Sequence, residues 1–289
     1  MIHRHIPVSL PVLGIILLAS RICSADPADD EEWLLLFNGA NLDDWIPKIR
    51  YHPAGVNYRN TFRVEDGFLT VSYDDYDEFN EQFGHIFYKD PFSYYRLHVE
   101  YRFIGEPFRG TPEWAFRNSG AMLHAQAPES MPPEQDFPIS LELQLLGGMS
   151  DNQARPTGNM CSPGTDVEYE GVLAETHCID STSPTFDGDQ WVSAEALVLG
   201  DEKIVHYING QAVIEYGNMT FGGGVVSGYR PEMKPDGEPL GEGYIALQSE
   251  GHAVQFRNVK LLNLKGCMDR EASNYKRYFV ADAPDTCQY

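Results

Sequence analysis

The stretch SLELQLL, residues 140–146, alternates strictly between polar and apolar side chains. Successive side chains of a strand point to opposite faces, so Ser140, Glu142 and Gln144 share one side while Leu141, Leu143 and Leu145 take the other. Two further stretches obey the same rule. In GAMLHAQ (120–126) it sets Met122, His124 and Gln126 against Ala121, Leu123 and Ala125. In GYIALQSEG (243–251) it sets Gln248 and Glu250 against Ile245 and Leu247. A solvent-facing sheet surface ordinarily carries Lys, Thr and mixed charge, whereas these polar sides carry His, Glu and Gln and no Lys or Arg. If the three strands adjoin, they line a groove suited to a polyhydroxylated ligand.

Outward from these segments, strand patterns dominate and no long helical period appears. WLLLFNG (33–39), FRVEDGFLTVSY (62–73), YRLHVEYRFIG (95–105), WVSAEALVLG (191–200), IVHYINGQAVIEYG (204–217) and VQFRNVKLLNL (254–264) mix alternating apolar residues with Tyr, Val, Ile and Phe. The clearest hairpin is IVHYINGQAVIEY, where Asn209-Gly210 can supply the positive φ angles of a tight turn. Many strands separated by turns, with no βαβ rhythm, predict an all-β antiparallel sandwich or jelly roll. The stretches 105–118, 147–190 and 218–242, rich in Gly, Pro and Asp, are then long loops. Loops of that length in a sandwich usually shape a binding site.

A chain of 289 residues with 42% hydrophobic content can bury a sizeable core. The basic start MIHRH, the apolar run IPVSLPVLGIILLAS and the small residues before Asp26 read as a secretory signal peptide, residues 1–25, cut after Ala25. The run is short for a membrane anchor and is broken by Pro7 and Pro11. The mature chain is therefore expected to be exported, with no membrane span after cleavage. It divides into a main domain, 26–264, and a small tail, 265–289. Loss of Cys23 with the signal leaves Cys161, Cys178, Cys267 and Cys287, an even number that favours disulfides in an oxidising compartment. Four cysteines allow three pairings, of which the local one, Cys161 with Cys178 and Cys267 with Cys287, is the simplest. A net charge of −22 repels phosphate backbones and excludes nucleic acid as a partner. The same acidity makes a divalent cation a candidate cofactor, although most of these carboxylates are expected to be solvated surface.

Five segments in order, LLFNGANLDDW (35–45), NSGAMLHAQ (118–126), SLELQLLGG (140–148), HYINGQAVIEY (206–216) and GYIALQSEGHAVQFRNVKLL (243–262), resemble the 3-keto-disaccharide hydrolase domain. The resemblance covers roughly residues 33–264 and implies a concanavalin-like jelly roll. The segment 159–180 is similar to a cysteine-bearing branch of that family, which implies the Cys161–Cys178 pairing. GCMDREASNYKRYFVADAPDTCQY (266–289) resembles a small Cys-stapled tail repeat of secreted bacterial proteins. A secreted, periplasmic or cell-surface bacterial protein is implied.

The resemblance implies chemistry on 3-keto-glycosides, by net hydrolysis or by lyase and hydratase steps. The chemical logic stands apart from the family. A ketone at C3 acidifies the C2 proton, a base removes it, the group at C1 leaves by β-elimination, and water can add back. Such a site needs a base near C2, a donor or metal polarising the keto oxygen, and an acid for the departing oxygen. Glu142 is the expected base, a carboxylate flanked by leucines whose pKa desolvation would raise, its alternative being a glutamate that hydrogen-bonds a loop. His124, Glu250 and His252 are the other catalytic candidates; each has an ordinary alternative, as a structural hydrogen-bonder, a turn residue and a solvent-facing side chain. Gln126, Gln144 and Gln248 are candidate binders of sugar hydroxyls, and Arg257 a candidate brace or a structural ion pair. Trp114, Phe116 and Tyr169 are expected in loops, where they stack on a sugar or cap the core. His177 is expected to be placed by the neighbouring Cys178 rather than by catalysis. The competing function is a jelly roll that binds a glycan, or joins surface components, without chemistry. No nucleotide fingerprint is present, so another protein would have to oxidise the sugar.

Overall fold

A computed structural model describes Met1 and residues 30–289. Apart from Met1, the expected signal peptide and Cys23 lie outside the described residues. Two antiparallel sheets pack face to face, as expected for a jelly roll. One has ten strands and includes Tyr94–Phe103, Val192–Leu199, Lys203–Ile208, Gln211–Phe221 and Val254–Asn263. The other has seven, in the spatial order Cys178–Ile179, Asn159–Cys161, Leu141–Leu146, Asn118–Ala125, Tyr244–Ser249, Gly84–Tyr88 and Trp45–Ile49. Helix is limited to short 3₁₀ turns among the described residues, and no helix there is long and apolar enough to cross a membrane.

The alternating segments dictate this packing. Leu141, Leu143, Leu145, Ala121, Leu123, Ile245 and Leu247 point inward and meet Tyr95, Leu97, Val99, Tyr101, Ala196, Val198 and Phe256 of the opposite sheet. Burying one such leucine contributes about 1.5–3 kcal/mol, so turning the polar sides inward instead would forfeit the core. Asn209 and Gly210 take φ of 48° and 78° in the expected hairpin turn.

The stretch 147–190, expected as loop, instead holds four short strands: Asn159–Cys161, Thr165–Tyr169, Val172–Leu173 and Cys178–Ile179. Each is held by pairing to a neighbour rather than by its own periodicity. The Cys161–Cys178 disulfide joins the first to the last at a directly opposed position. Cys267–Cys287 staples the tail, where Lys265–Gly266 pairs in parallel with Ala281–Asp282.

Candidate active site

The three alternating segments do adjoin. Asn118–Ala125 pairs on one side with Leu141–Leu146, setting Met122 opposite Glu142 and Gly120 opposite Gln144. On its other side it pairs with Tyr244–Ser249, setting Ala246 opposite Met122. The outward face of the seven-stranded sheet therefore carries Asn118, Glu142, Gln144, Gln248 and, just past its strand, Glu250. A small apolar cluster of Phe87, Met122, Ala125, Met131 and Ala246 borders it.

Over part of this face lies a cavity of about 310 Å³. Its floor is polar: Asn118, Glu142, Gln144 and Glu250. Its walls come from the loops, with Trp114, Phe137, Pro163 and Val225, and from the disulfide and its neighbour His177. Trp114 is 54% exposed at the rim and stacks on Phe83, ring centroids 5.8 Å apart. An aromatic face held in this way at a cavity mouth is suited to the apolar face of a sugar ring.

Glu142 and Glu250 are buried, 7% and 3% exposed. No hydrogen bond to either carboxyl group is found among the described residues, and Glu250 Oε2 is fully enclosed without a partner. Burial raises the pKa of Glu142 to about 8. Burial raises that of Glu250 well above the usual range, and the Glu142 charge raises it further. Two carboxyl groups that interact in this way titrate as a pair, the first ionisation opposing the second. One backbone detail makes room for them. The Glu142 carboxyl group lies over Gly120, where a Cβ would collide with Oε1 and stand 2.8 Å from the Met122 methyl carbon. Glu250 is fixed by the turn that follows it. Gly251, at φ 95°, donates its N–H to Tyr73 Oη at 2.7 Å, and its carbonyl accepts from Thr111 Oγ1 and the Phe108 N–H, both at 2.8 Å.

The amides complete the floor. Gln144 Oε1 accepts from Asn159 Nδ2 at 3.0 Å, which turns the Gln144 NH₂ the other way. Asn118 Oδ1 and Gln248 Oε1 are buried without a partner. Gln248 sits opposite His85, beside the cavity rather than in its wall.

Four expected site residues lie elsewhere. At His124 the strand bulges: Met122 faces Ala246 but Ala125 faces Tyr244, and His124 takes φ 50°. The extra residue turns the ring inward, 5.8 Å edge-on to Tyr95 and with Nε2 3.1 Å from the Gly200 carbonyl. Beyond the bulge, Gln126 is held by Gln135 and the Ile139 N–H in a loop network. His252 follows the Gly251 turn into a slot between Phe103 and Phe116, where Nδ1 accepts from the Arg117 N–H at 3.2 Å. Arg257 belongs to the other sheet, paired to Glu100 at 2.7 Å and stacked on Trp191. Of the loop aromatics, Phe116 packs on His252 and Tyr169 against the core.

Asn118, Phe137, Val225 and His177 were absent from the expected site. Asn118 was legible, since it precedes Gly120 and Met122 by the same period of two. His177 was not, because its position depends on which strand Cys178 pairs with. Cys161, His177 and Cys178 also bring three ligand-type side chains within 4.8 Å. Both sulfurs are committed to the disulfide, so this set presents no thiolates to a divalent cation.

The model of the 3-keto-alpha-glucoside-1,2-lyase-like domain matches residues 32–262. No curated protein matches the chain. Among solved structures it is similar to a proposed glycosyl hydrolase from Parabacteroides distasonis at 20% identity, covering 80% of this chain and 94% of that one with a TM-score of 0.46. It is also similar to a β-1,3-1,4-glucanase from a mouse hindgut metagenome, at 10% identity, 81% and 98% coverage and a TM-score of 0.43.

Proposed function

The chain belongs to the 3-keto-alpha-glucoside-1,2-lyase-like family, and from that premise we propose that it cleaves 3-keto-glycosides, with Glu142 as base and Glu250 as acid. The observation that carries this reading is the pair of buried carboxyl groups without hydrogen-bond partners on the floor of one cavity. In the reactive state Glu142 is ionised and Glu250 protonated. Glu142 takes the C2 proton, the electron pair forms an enolate through C3, and the C1–oxygen bond then breaks. The electron pair of that bond leaves with the aglycone oxygen, which Glu250 protonates. The product is a 3-keto-sugar with a C1–C2 double bond, and Glu142 is left protonated and Glu250 ionised. Addition of water at C1, with return of a proton to C2, completes net hydrolysis. Burial helps twice, by keeping Glu250 protonated and by making the ionised Glu142 a stronger base than a solvated carboxylate.

A cavity of about 310 Å³ lies at the small end of ligand sites. One oxidised ring fits within it, with Trp114 against one face of the ring at the rim and the leaving group toward solvent. The amides of Asn118 and Gln144 hold ring hydroxyls. Two disulfides suit an oxidising compartment, which supports an exported location.

The test is incubation of the purified protein with 4-nitrophenyl 3-keto-glucosides of both anomeric configurations and with their unoxidised parents, with and without divalent cations. Release of nitrophenolate from an oxidised compound alone is the expected result. Binding of sugars with no release under any condition would establish the glycan-binding alternative instead.

A further inference from the structure

Across the seven-stranded sheet, the ionisable groups of the cavity fall in a fixed order. His177 precedes the outermost strand, Cys178–Ile179; Glu142 stands two strands further in; Glu250 follows Tyr244–Ser249, two strands beyond that. The order is His177, Glu142, Glu250. In a 3-keto-glycoside the reacting atoms also fall in an order: keto oxygen on C3, proton on C2, leaving oxygen on C1. With Glu142 at C2 and Glu250 at the C1 oxygen, the keto oxygen lies on the side of His177.

The imidazole is held at that position. Cys178, beside it, is disulfide-bonded to Cys161, and Cys161 is the register partner of Glu142. The His177 carbonyl accepts from the Ser162 N–H at 2.9 Å. Nδ1 of the ring is buried without a partner, and the Ser162 backbone lies within reach of the ring. Elsewhere His124 meets the Gly200 carbonyl, His206 the Tyr216 hydroxyl and the Gly158 carbonyl, and His252 the Arg117 N–H, although His85 Nε2, His124 Nδ1 and His252 Nε2 are likewise buried without a partner. Among the described residues, His177 is the one histidine that lines this cavity. Burial lowers its pKa, offset in part by the Ser162 backbone, so the ring stays neutral near pH 7. A neutral imidazole still has one N–H to donate, and it can stabilise an enolate oxygen without giving up a proton.

Resting on the function proposed above, we infer that His177 is a catalytic residue whose N–H bonds the 3-keto oxygen as the enolate forms. The proton balance is unchanged. Glu142 gains the C2 proton, Glu250 loses one to the aglycone, and His177 keeps its own.

The experiment isolates enolisation. The 3-keto derivative of 1,5-anhydroglucitol has no aglycone at C1, so in deuterium oxide exchange of its C2 proton can be followed by NMR without glycoside cleavage. His177→Phe should slow C2 exchange about 100-fold or more, and His177→Gln, which keeps a donor, about 10-fold. Circular dichroism checks folding, and if the Phe variant does not fold, the Gln variant carries the test. Cleavage of 4-nitrophenyl and methyl 3-keto-glucosides should fall by the same factor, because the lost bond is to O3 and not to the leaving group. Exchange by both folded variants within 3-fold of wild type would overturn the inference, as would a loss confined to the methyl glycoside. No C2 exchange by the wild-type protein would instead sink the proton-abstraction reading on which the inference rests.

Discussion

Replacing Glu142 with glutamine should make the protein more stable and inactive. An unfolded glutamate ionises near 4.5, whereas burial in the folded protein raises Glu142 to about 8. The sign follows from linkage. Between these values the folded state holds a proton that the unfolded state releases, so the stability contributed by this group is present below pH 4.5 and falls as pH rises toward 8. At about 1.4 kcal/mol per pH unit, the loss is about 1 kcal/mol at pH 5 and about 3 kcal/mol at pH 7. Glu142→Gln removes this dependence but buries an amide, at a cost of about 1–2 kcal/mol that does not vary with pH. The net expectation is near zero at pH 5 and a gain of about 1–2 kcal/mol at pH 7, which is about 2–8 °C in Tm for a domain of this size. Differential scanning calorimetry of both proteins from pH 5 to 8 measures it. The same variant should lose about 10²–10⁴ in kcat. A stability difference that is flat with pH, or that turns against the variant as pH rises, would refute the argument. The latter is the behaviour of a carboxylate held in an ion pair.

Three further outcomes are expected. The rate kcat/KM should climb as pH rises toward about 8, because the base must ionise, and fall where Glu250 gives up its proton; a profile that is flat from pH 6 to 9 would contradict the pair. Gly120→Ala should lower kcat at least about 10-fold, since its Cβ occupies space taken by the Glu142 carboxyl group, and unchanged kinetics in a folded variant would contradict that placement. Trp114→Ala should raise KM about 5–20-fold, equivalent to about 1–2 kcal/mol of stacking, with little change in Tm because the ring is 54% exposed.

Alternation carried the sequence reading as far as the backbone stayed regular. Leu141, Leu143 and Leu145 had to be buried, and that alone turned Glu142 and Gln144 to the outer face. The same logic served Gln248 and Glu250. It failed at His124, because a bulge inserts one residue and reverses the faces beyond it, and single-chain periodicity carries no signal for pairing two residues against one. The partner does carry one: a Cβ at Gly243 would stand 2.7 Å from the Ala125 carbonyl and collide with the His124 backbone, so only glycine fits there. His252 escaped for a related reason, lying past the φ 95° turn at Gly251 where a period of two no longer applies. Two strands of the site's own sheet gave no alternation at all. Gly84–Tyr88 is buried throughout, and Trp45–Ile49 is an edge strand, where Pro47 is tolerated.

What periodicity could not reach is the wall opposite the floor. His177 enters the cavity through a chain of dependencies: Cys178 pairs with Cys161, and Cys161 stands beside Glu142. Each link joins segments distant in sequence, and none leaves a local pattern. The floor is legible because burying its reverse side is worth many kcal/mol and constrains every second residue. The wall is held by two paired positions and one disulfide, and its composition of Gly, Pro and Asp reads as loop. A jelly roll can therefore keep one core while its walls change, so the fold alone does not separate a glycan binder from an enzyme. The separation lies in two carboxyl groups that the fold buries at a loss. A binding site would satisfy sugar hydroxyls as well with amides and without that cost, whereas proton transfer requires groups whose pKa values burial has moved toward neutrality.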